Sequence, residues 1–296
     1  MSGMSTTTPG PSTRERMRRA PVETGLGMTP DPASTRERVR LRVPLGEGVR
    51  DAAGRVLPVL PALLADSGIG YLVFSTARLT AGAPTVDLRL DLTGVPAPDS
   101  RWLVADLTLL QLDGEIGVGR AEMHDDTGAP VAHAVVTMAL TGVPDRPGRL
   151  ATADPVPAAS GPDASGTGDD TDFRAELPPF DPSRLVPENL EADGGSTGDV
   201  LFTPGPSTVN LNGTTHGAVL TGIGAAAQTR FLADPDARPL SLTADFLRPV
   251  QVDTELRVRT TPVREGRRFW ALRTELLLPD GRAAVRVTGA GIRRAR

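Results

Sequence analysis

No cysteine occurs anywhere in this 296-residue chain, so neither a disulfide framework nor thiolate chemistry is available to it. Aromatic residues are scarce, with one Tyr and two Trp, which favours an aliphatic-lined binding tunnel over an aromatic cage. Only His124, His133 and His216 occur, at spacings that suit no ligand set, so no metal site is expected. Positive charge is not in excess either. A formal net charge of -4 argues against nucleic acid or an anionic membrane as the main partner, since both need a concentrated basic patch. The tight basic cluster Arg293, Arg294 and Arg296 reads as a solvated tail. No apolar run is seen to approach a membrane span, and Met1 to Pro11 lacks the apolar core of a secretion signal. These absences predict a soluble, cytoplasmic protein.

What is present is length enough for two domains, each with its own core. Residues 1–37 are rich in Ser, Thr, Pro and Arg and show no sustained hydrophobic period, so they are expected to form a disordered tail. Residues 143–178 have the Pro, Gly, Ala, Ser and Asp composition of a flexible linker. The domains expected on either side are 38–142 and 179–296.

Both halves carry the same signals in the same order. Val43-Pro44 leads to Asp51-Ala-Ala-Gly54 and then to an apolar run from Val59 to Phe74. Thr203-Pro204 leads to Asn210-Leu-Asn-Gly213 and then to His216 through Leu232. Pro204 follows Pro44 by 160 residues and Gly213 follows Gly54 by 159. The late hairpin signals Asp126-Thr-Gly128 and Asp280-Gly281 repeat as well. The two apolar runs exceed strand length and read as helices, the first with Pro58 and Pro61 near its start. Period-two alternation follows. Val86, Leu88, Leu90 and Leu92 fall on one face and Asp87, Arg89 and Asp91 on the other, with similar patterns at Leu256–Arg259 and Val285–Thr288. A buried helix followed by several strands, twice over, predicts an α+β fold of two copies in which an antiparallel sheet wraps a central helix.

From Asn210 onward the second half resembles the hotdog-fold thioesterases of the phenylacetate-pathway type. The residues that carry the likeness are Asn210, Gly213, His216, Gly217 and Ala218, where the family shows Asn, Gly and then His-Gly-Gly at the start of the central helix. Thr243 to Pro249 resembles its second strand and Asp280-Gly281 its late hairpin. The first half resembles the family in spacing and strand pattern. The resemblance implies a tandem hotdog pseudo-dimer that acts on an acyl thioester, with each active site built across two hotdogs. It also implies an acid nine residues after the His. Position 225 is alanine, but its counterpart 159 residues earlier is Asp66. The first half conversely has Leu57 and Pro58 where the second has His216 and Gly217. One complete site (Asp66, Asn210, His216, Gly217) and one dead site (Asp51, Leu57, Pro58, Ala225) are therefore expected.

In that site a helix N-terminus supplies free N–H groups and a favourable dipole for a developing oxyanion. Gly217 leaves room for the substrate carbonyl, and Asp66 serves as general base or nucleophile. Asn210 is read as positioning water or holding the thioester oxygen. Gly213, Ala218 and Arg248 are expected substrate contacts, Arg248 toward phosphate. Asp66 stands out on its own, because a carboxylate in an apolar helix costs several kcal/mol, to order of magnitude, unless paired or functional. Plainer readings compete: Asp66 bonding a neighbour such as Ser67, His216 only capping its helix, Asn210 only shaping a turn. Ser67 and Ser207 lack a nucleophile elbow, so a Ser-His-Asp hydrolase is not expected. Gly222-Ile-Gly224 reads as close helix packing. No cofactor is expected beyond the CoA or phosphopantetheine of an acyl-CoA or acyl-carrier substrate. Dehydration or cyclisation of a bound thioester, and non-catalytic acyl binding, stay open as alternatives, as does a homodimer of the tandem chain.

Overall fold

The computed structural model describes residues 20–35, 38–46, 48–51, 53–77, 79, 83–140, 177–192, 199–210 and 212–293. The first half contains a short helix α1 (Pro21–Gly25), strands β1 (Thr29–Pro30) and β2 (Val39–Pro44), helix α2 (Val59–Ala77), and strands β3 (Thr85–Leu92), β4 (Trp102–Leu112), β5 (Ile116–Asp125) and β6 (Pro130–Ala139). The second half contains β7 (Glu191–Ala192), β8 (Val200–Phe202), helix α3 (Gly217–Leu232), β9 (Arg238–Phe246), β10 (Leu256–Glu265), β11 (Phe269–Leu277) and β12 (Ala283–Ile292). The twelve strands form one antiparallel sheet in the order β1-β2-β4-β5-β6-β3-β9-β12-β11-β10-β8-β7. Read outward from its middle, each half of that order repeats the other: β3 matches β9, β6 matches β12, and so on to β2 and β8. Pairing of β3 with β9, from Asp87 opposite Asp245 to Asp91 opposite Ser241, joins the two copies into a single sheet.

Both long helices are apolar nearly all round, which is the composition of a helix enclosed on every side. Leu60, Leu63, Leu64 and Ile69 of α2 and Val219 and Ile223 of α3 are fully buried. Each such side chain contributes about 1.5–3 kcal/mol by leaving water. The small residues let the helices and sheet approach. A side chain at Gly222 would strike Val59 of α2, and one at Gly224 would strike Val287 of β12, as their reading as packing glycines anticipates. Helix α2 is long and apolar enough to cross a membrane by length and composition, contrary to the expectation that no run comes close. Its apolar surface is instead taken up by the sheet and by α3.

Three further expectations are corrected. Residues 20–35 were expected to belong to a disordered tail, yet Ala20, Val22, Leu26 and Met28 are buried. Leu26, which caps the end of α1, donates its N–H to the Val22 carbonyl one turn earlier, and the Phe180 N–H donates to the Pro21 carbonyl, fixing the segment against the second half. The expected linker 143–178 lies outside the described residues up to position 176. In β3, Leu88 and Leu90 are buried as expected, but Val86 is exposed. A β-bulge between Thr85 and Asp87 inserts the extra residue there and turns Thr85 toward the core instead. Arg293 is not a free tail residue, since it lies 3.6 Å from both Asp234 and Glu265.

Candidate active site

The turn before each helix is built the same way. Asn210 Oδ1 accepts from the Asn212 and Thr214 N–H groups, and Gly213 takes φ +77°. In the first half Asp51 Oδ1 accepts from the Ala53 and Arg55 N–H groups, and Gly54 takes φ +76°. These left-handed positions suit glycine, and each turn closes with a bridge, Arg50 to Val56 and Val209 to Thr215. Asn210 is thus engaged in its own turn, with Nδ2 on Thr214 Oγ1, and Gly213 meets nothing beyond the loop. Neither is among the residues gathered around Asp66. Arg248 is also apart: it is exposed and donates to the Ala283 carbonyl.

Asp66 and His216 do meet, one from each half. His216 is the N-cap of α3, and its Nδ1 accepts from the Ala218 N–H at 3.0 Å. The same Nδ1 lies 3.4 Å from Asp66 Oδ2. Asp66 sits seven residues into α2, where its other oxygen, Oδ1, accepts from the Thr85 hydroxyl at 2.6 Å. The bulge in β3 is what delivers Thr85 to it. Gly217 completes the contact: a Cβ there would fall 2.6 Å from Asp66 Oδ2 and 3.1 Å from the Phe246 ring. Only glycine lets the carboxylate lie against the helix start. The Ala218 N–H is taken by His216, whereas no partner is recorded for the Gly217 N–H among the described residues. Gly217 is half-buried, while Asp66 and His216 are buried.

Besides Thr85, two further participants were not anticipated. Ser67 Oγ lies 3.0 Å from His216 Nε2 and donates to Glu23 Oε1 at 2.8 Å. Glu23, on α1, is 2% exposed, and its Oε1 lies 3.4 Å from His216 Nε2. Burial alone would push His216 down and Glu23 up. Their mutual attraction, with Asp66 adding to it for the histidine, reverses both, so His216 rises above 6.5 and Glu23 falls below 4.5. Protonation and capping compete at Nδ1. The neutral ring accepts from Ala218, while the imidazolium presents a proton to Asp66. Ser67 faces His216 as a nucleophile would, but its hydrogen goes to Glu23. Glu23 was missed because Pro-Val-Glu-Thr-Gly lies in tail-like composition. The Val22/Leu26 spacing was the available signal that this stretch packs.

The counterpart positions in the first half hold Leu57, Pro58 and, on α3, Ala225. The imidazole of His216, the N–H of Gly217 and the carboxylate of Asp66 thus have no equivalent at these three positions.

A sheet that wraps one buried helix twice in tandem, with the start of one helix facing a carboxylate on the other, defines a double-hotdog protein. The comparisons with known proteins agree. Residues 206–291 match the model of the acyl-CoA thioesterase N-terminal domain, and residues 3–138 match that of the C-terminal domain. The two domains thus stand in inverted order. Similar folds include an acyl-ACP thioesterase from Bacteroides thetaiotaomicron, at TM-score 0.55 and 13% identity, covering 86% of this chain and 98% of that one. The 12:0-ACP thioesterase from Umbellularia californica gives TM-score 0.57 at 12% identity over 88% and 95%. A tesB protein from Mycobacterium avium subsp. paratuberculosis gives 0.52 at 9% over 89% and 95%. No curated protein matches the chain in sequence. The chain is a tandem hotdog-fold thioesterase, a hydrolase of acyl thioesters.

Proposed function

We propose that this chain hydrolyses an acyl-CoA or acyl-carrier thioester at one composite site per chain, made by Asp66 from the first half and the α3 start from the second. The observation that carries the reading is the contact of Asp66 Oδ2 with Gly217, which puts the carboxylate oxygen without a hydroxyl partner beside a helix start with a free N–H. The thioester carbonyl approaches over Gly217, and its oxygen takes the Gly217 N–H and the positive end of the α3 dipole as negative charge develops. Asp66 Oδ2 acts on the carbonyl carbon. It either takes a proton from an attacking water or attacks directly to give a mixed anhydride that water then opens. In both routes the C–S bond breaks: in the first the proton that Asp66 took from water passes to the departing thiolate, and in the second the thiolate departs as the anhydride forms and is protonated when water opens it. Thr85 holds the other oxygen so that Oδ2 stays aimed.

His216, Ser67 and Glu23 are positioning residues in this scheme. The neutral ring caps α3 through Nδ1 and anchors Nε2 on Ser67 and Glu23, which fixes Gly217 against Asp66. The reaction needs no cofactor beyond the CoA or phosphopantetheine of the substrate, and the protein is expected to act in the cytoplasm. The test is thiol release from a panel of acyl-CoAs by the parent chain and by Asp66→Asn. Release by the parent and its loss in Asp66→Asn support the proposal. Loss of water without thiol release moves the reaction to a dehydratase or cyclase type.

A further inference from the structure

His216 stands between two carboxylates. Its Nδ1 lies 3.4 Å from Asp66 Oδ2 on α2, and its Nε2 lies 3.4 Å from Glu23 Oε1 on α1. All three side chains are buried. Among the described residues no cation acts on the ring: α1 contributes Glu23, α2 contributes Asp66 and the uncharged Ser67, and Thr208 and Ala218 meet His216 through backbone atoms.

The neutral ring carries its hydrogen on Nε2, because Nδ1 accepts from the Ala218 N–H at 3.0 Å. That hydrogen points to Ser67 Oγ, whose own hydrogen goes to Glu23 Oε1. Glu23 Oε2 is buried without a hydrogen-bond partner, so the charge of this carboxylate stays poorly compensated while the ring is neutral. A second proton on the ring would compensate both carboxylates, and Nδ1 is the one place left for it. There it sets donor against donor at the Ala218 N–H and offers a hydrogen to Asp66 Oδ2. The two arrangements exclude each other. In one the α3 cap is closed and Oδ2 is left for the reaction; in the other the cap is open and Oδ2 is engaged.

We propose that His216 is a proton-operated switch on the Asp66 carboxylate: the neutral ring leaves Oδ2 available, and a proton on Nδ1 occupies it and silences the site. Glu23 sets the pH at which the change occurs. The effect on turnover rests on the hydrolase reading. Burial pushes the imidazole down, but attraction to Glu23, with Asp66 adding to it, lifts it above 6.5, which brings the switch within reach of neutral pH. Activity follows the neutral ring, so it rises with pH through the His216 value and levels off above it. Removing the charge of Glu23 lowers that value and moves the rise to lower pH.

The test measures kcat/KM for thiol release from an acyl-CoA between about pH 5 and about pH 9 in the parent and in Glu23→Gln, each profile scaled to its own alkaline plateau. Imidazole ¹⁵N signals are followed in parallel, with His216→Gln assigning the His216 signal among the three histidines. The parental acid limb should coincide with the His216 titration, and both should move down together in Glu23→Gln. Near pH 6 the variant should keep roughly threefold to tenfold more of its plateau than the parent does. A Glu23 that only packs would lower the plateau and leave the limb in place, which overturns the proposal. A parental limb that does not coincide with the His216 titration overturns it as well, even if Glu23→Gln fails to fold. Thiol release absent at every pH refutes the hydrolase reading instead. The His216 signal then still decides the pairing: its titration should fall in Asp66→Asn, and an unchanged titration there overturns the switch.

Discussion

Gly217→Ala tests the geometry of the helix start most finely. The new methyl would sit 2.6 Å from Asp66 Oδ2, about 0.8 Å inside the 3.4 Å of ordinary contact. Asp66 cannot yield freely, because its Oδ1 is tied to Thr85 at 2.6 Å. The Phe246 ring, 3.1 Å away, must also give by a few tenths of an ångström. Overpacking of this kind costs about 1–3 kcal/mol of stability, and the better helix propensity of alanine returns up to about 1 kcal/mol. The net destabilisation should therefore be roughly 0–3 kcal/mol, less than the stability of an ordinary domain, so the chain should remain folded. Activity should suffer more. A displacement near 1 Å at a reacting group costs about 10²-fold, so kcat/KM for thiol release should drop by that order. A thiol-reactive chromophore reads this without background, since the protein has no cysteine of its own. Gly114→Ala, where a side chain would meet nothing within 4 Å, is the neutral control. A Gly217→Ala chain with parental kcat/KM would refute the placement of the carbonyl over this glycine.

Further expectations concern the network behind the site. His216 is raised above its ordinary 6.5, so its stabilising contribution is complete below about pH 6.5 and lost as pH rises through the raised value. Glu23 is lowered below 4.5, so its contribution is complete above that and lost as pH falls through the lowered value. Thermal unfolding should accordingly show a plateau between these limits, and Glu23→Gln should flatten the decline on the alkaline side; an unchanged profile would contradict the pairing. Ser67→Ala removes the donor to Glu23 and should destabilise by about 1–3 kcal/mol while turnover persists; abolished turnover in a folded Ser67→Ala chain would make Ser67 the nucleophile. Leu57→His alone should add no second activity, because Pro58 and Ala225 remain; a doubled kcat would show the dead site to be one residue from working. Single turnover in H₂¹⁸O tests the nucleophilic role of Asp66: label in the protein carboxylate means a mixed anhydride opened by water at the aspartyl carbonyl.

Much of the fold was legible because the chain is a repeat. The 159-residue offset that relates Gly54 to Gly213 also relates Asp51 to Asn210 and the bridges that close both turns. The same offset led from Ala225 to Asp66, and the structure brings that acid to His216 and Gly217. What stayed hidden depended on contacts between residues far apart in the chain. Asn210 carries the residue type of a site, but its oxygen is consumed by its own turn, which only backbone geometry reveals. Thr85 reaches Asp66 through a bulge that breaks the alternation by which strands are read. Glu23 lies among residues too polar and Pro-rich to suggest a core, and it is buried because Val22 and Leu26 anchor it.

The central claim is that one acid from the first half and one helix start from the second make a single hydrolytic site. Asp66→Asn tests it directly, since it keeps the volume and the acceptor for Thr85 but removes the base. Thiol release from an acyl-CoA that the parent cleaves should fall by about 10²–10⁴-fold with the fold intact. Turnover by Asp66→Asn at the parental rate would contradict the account.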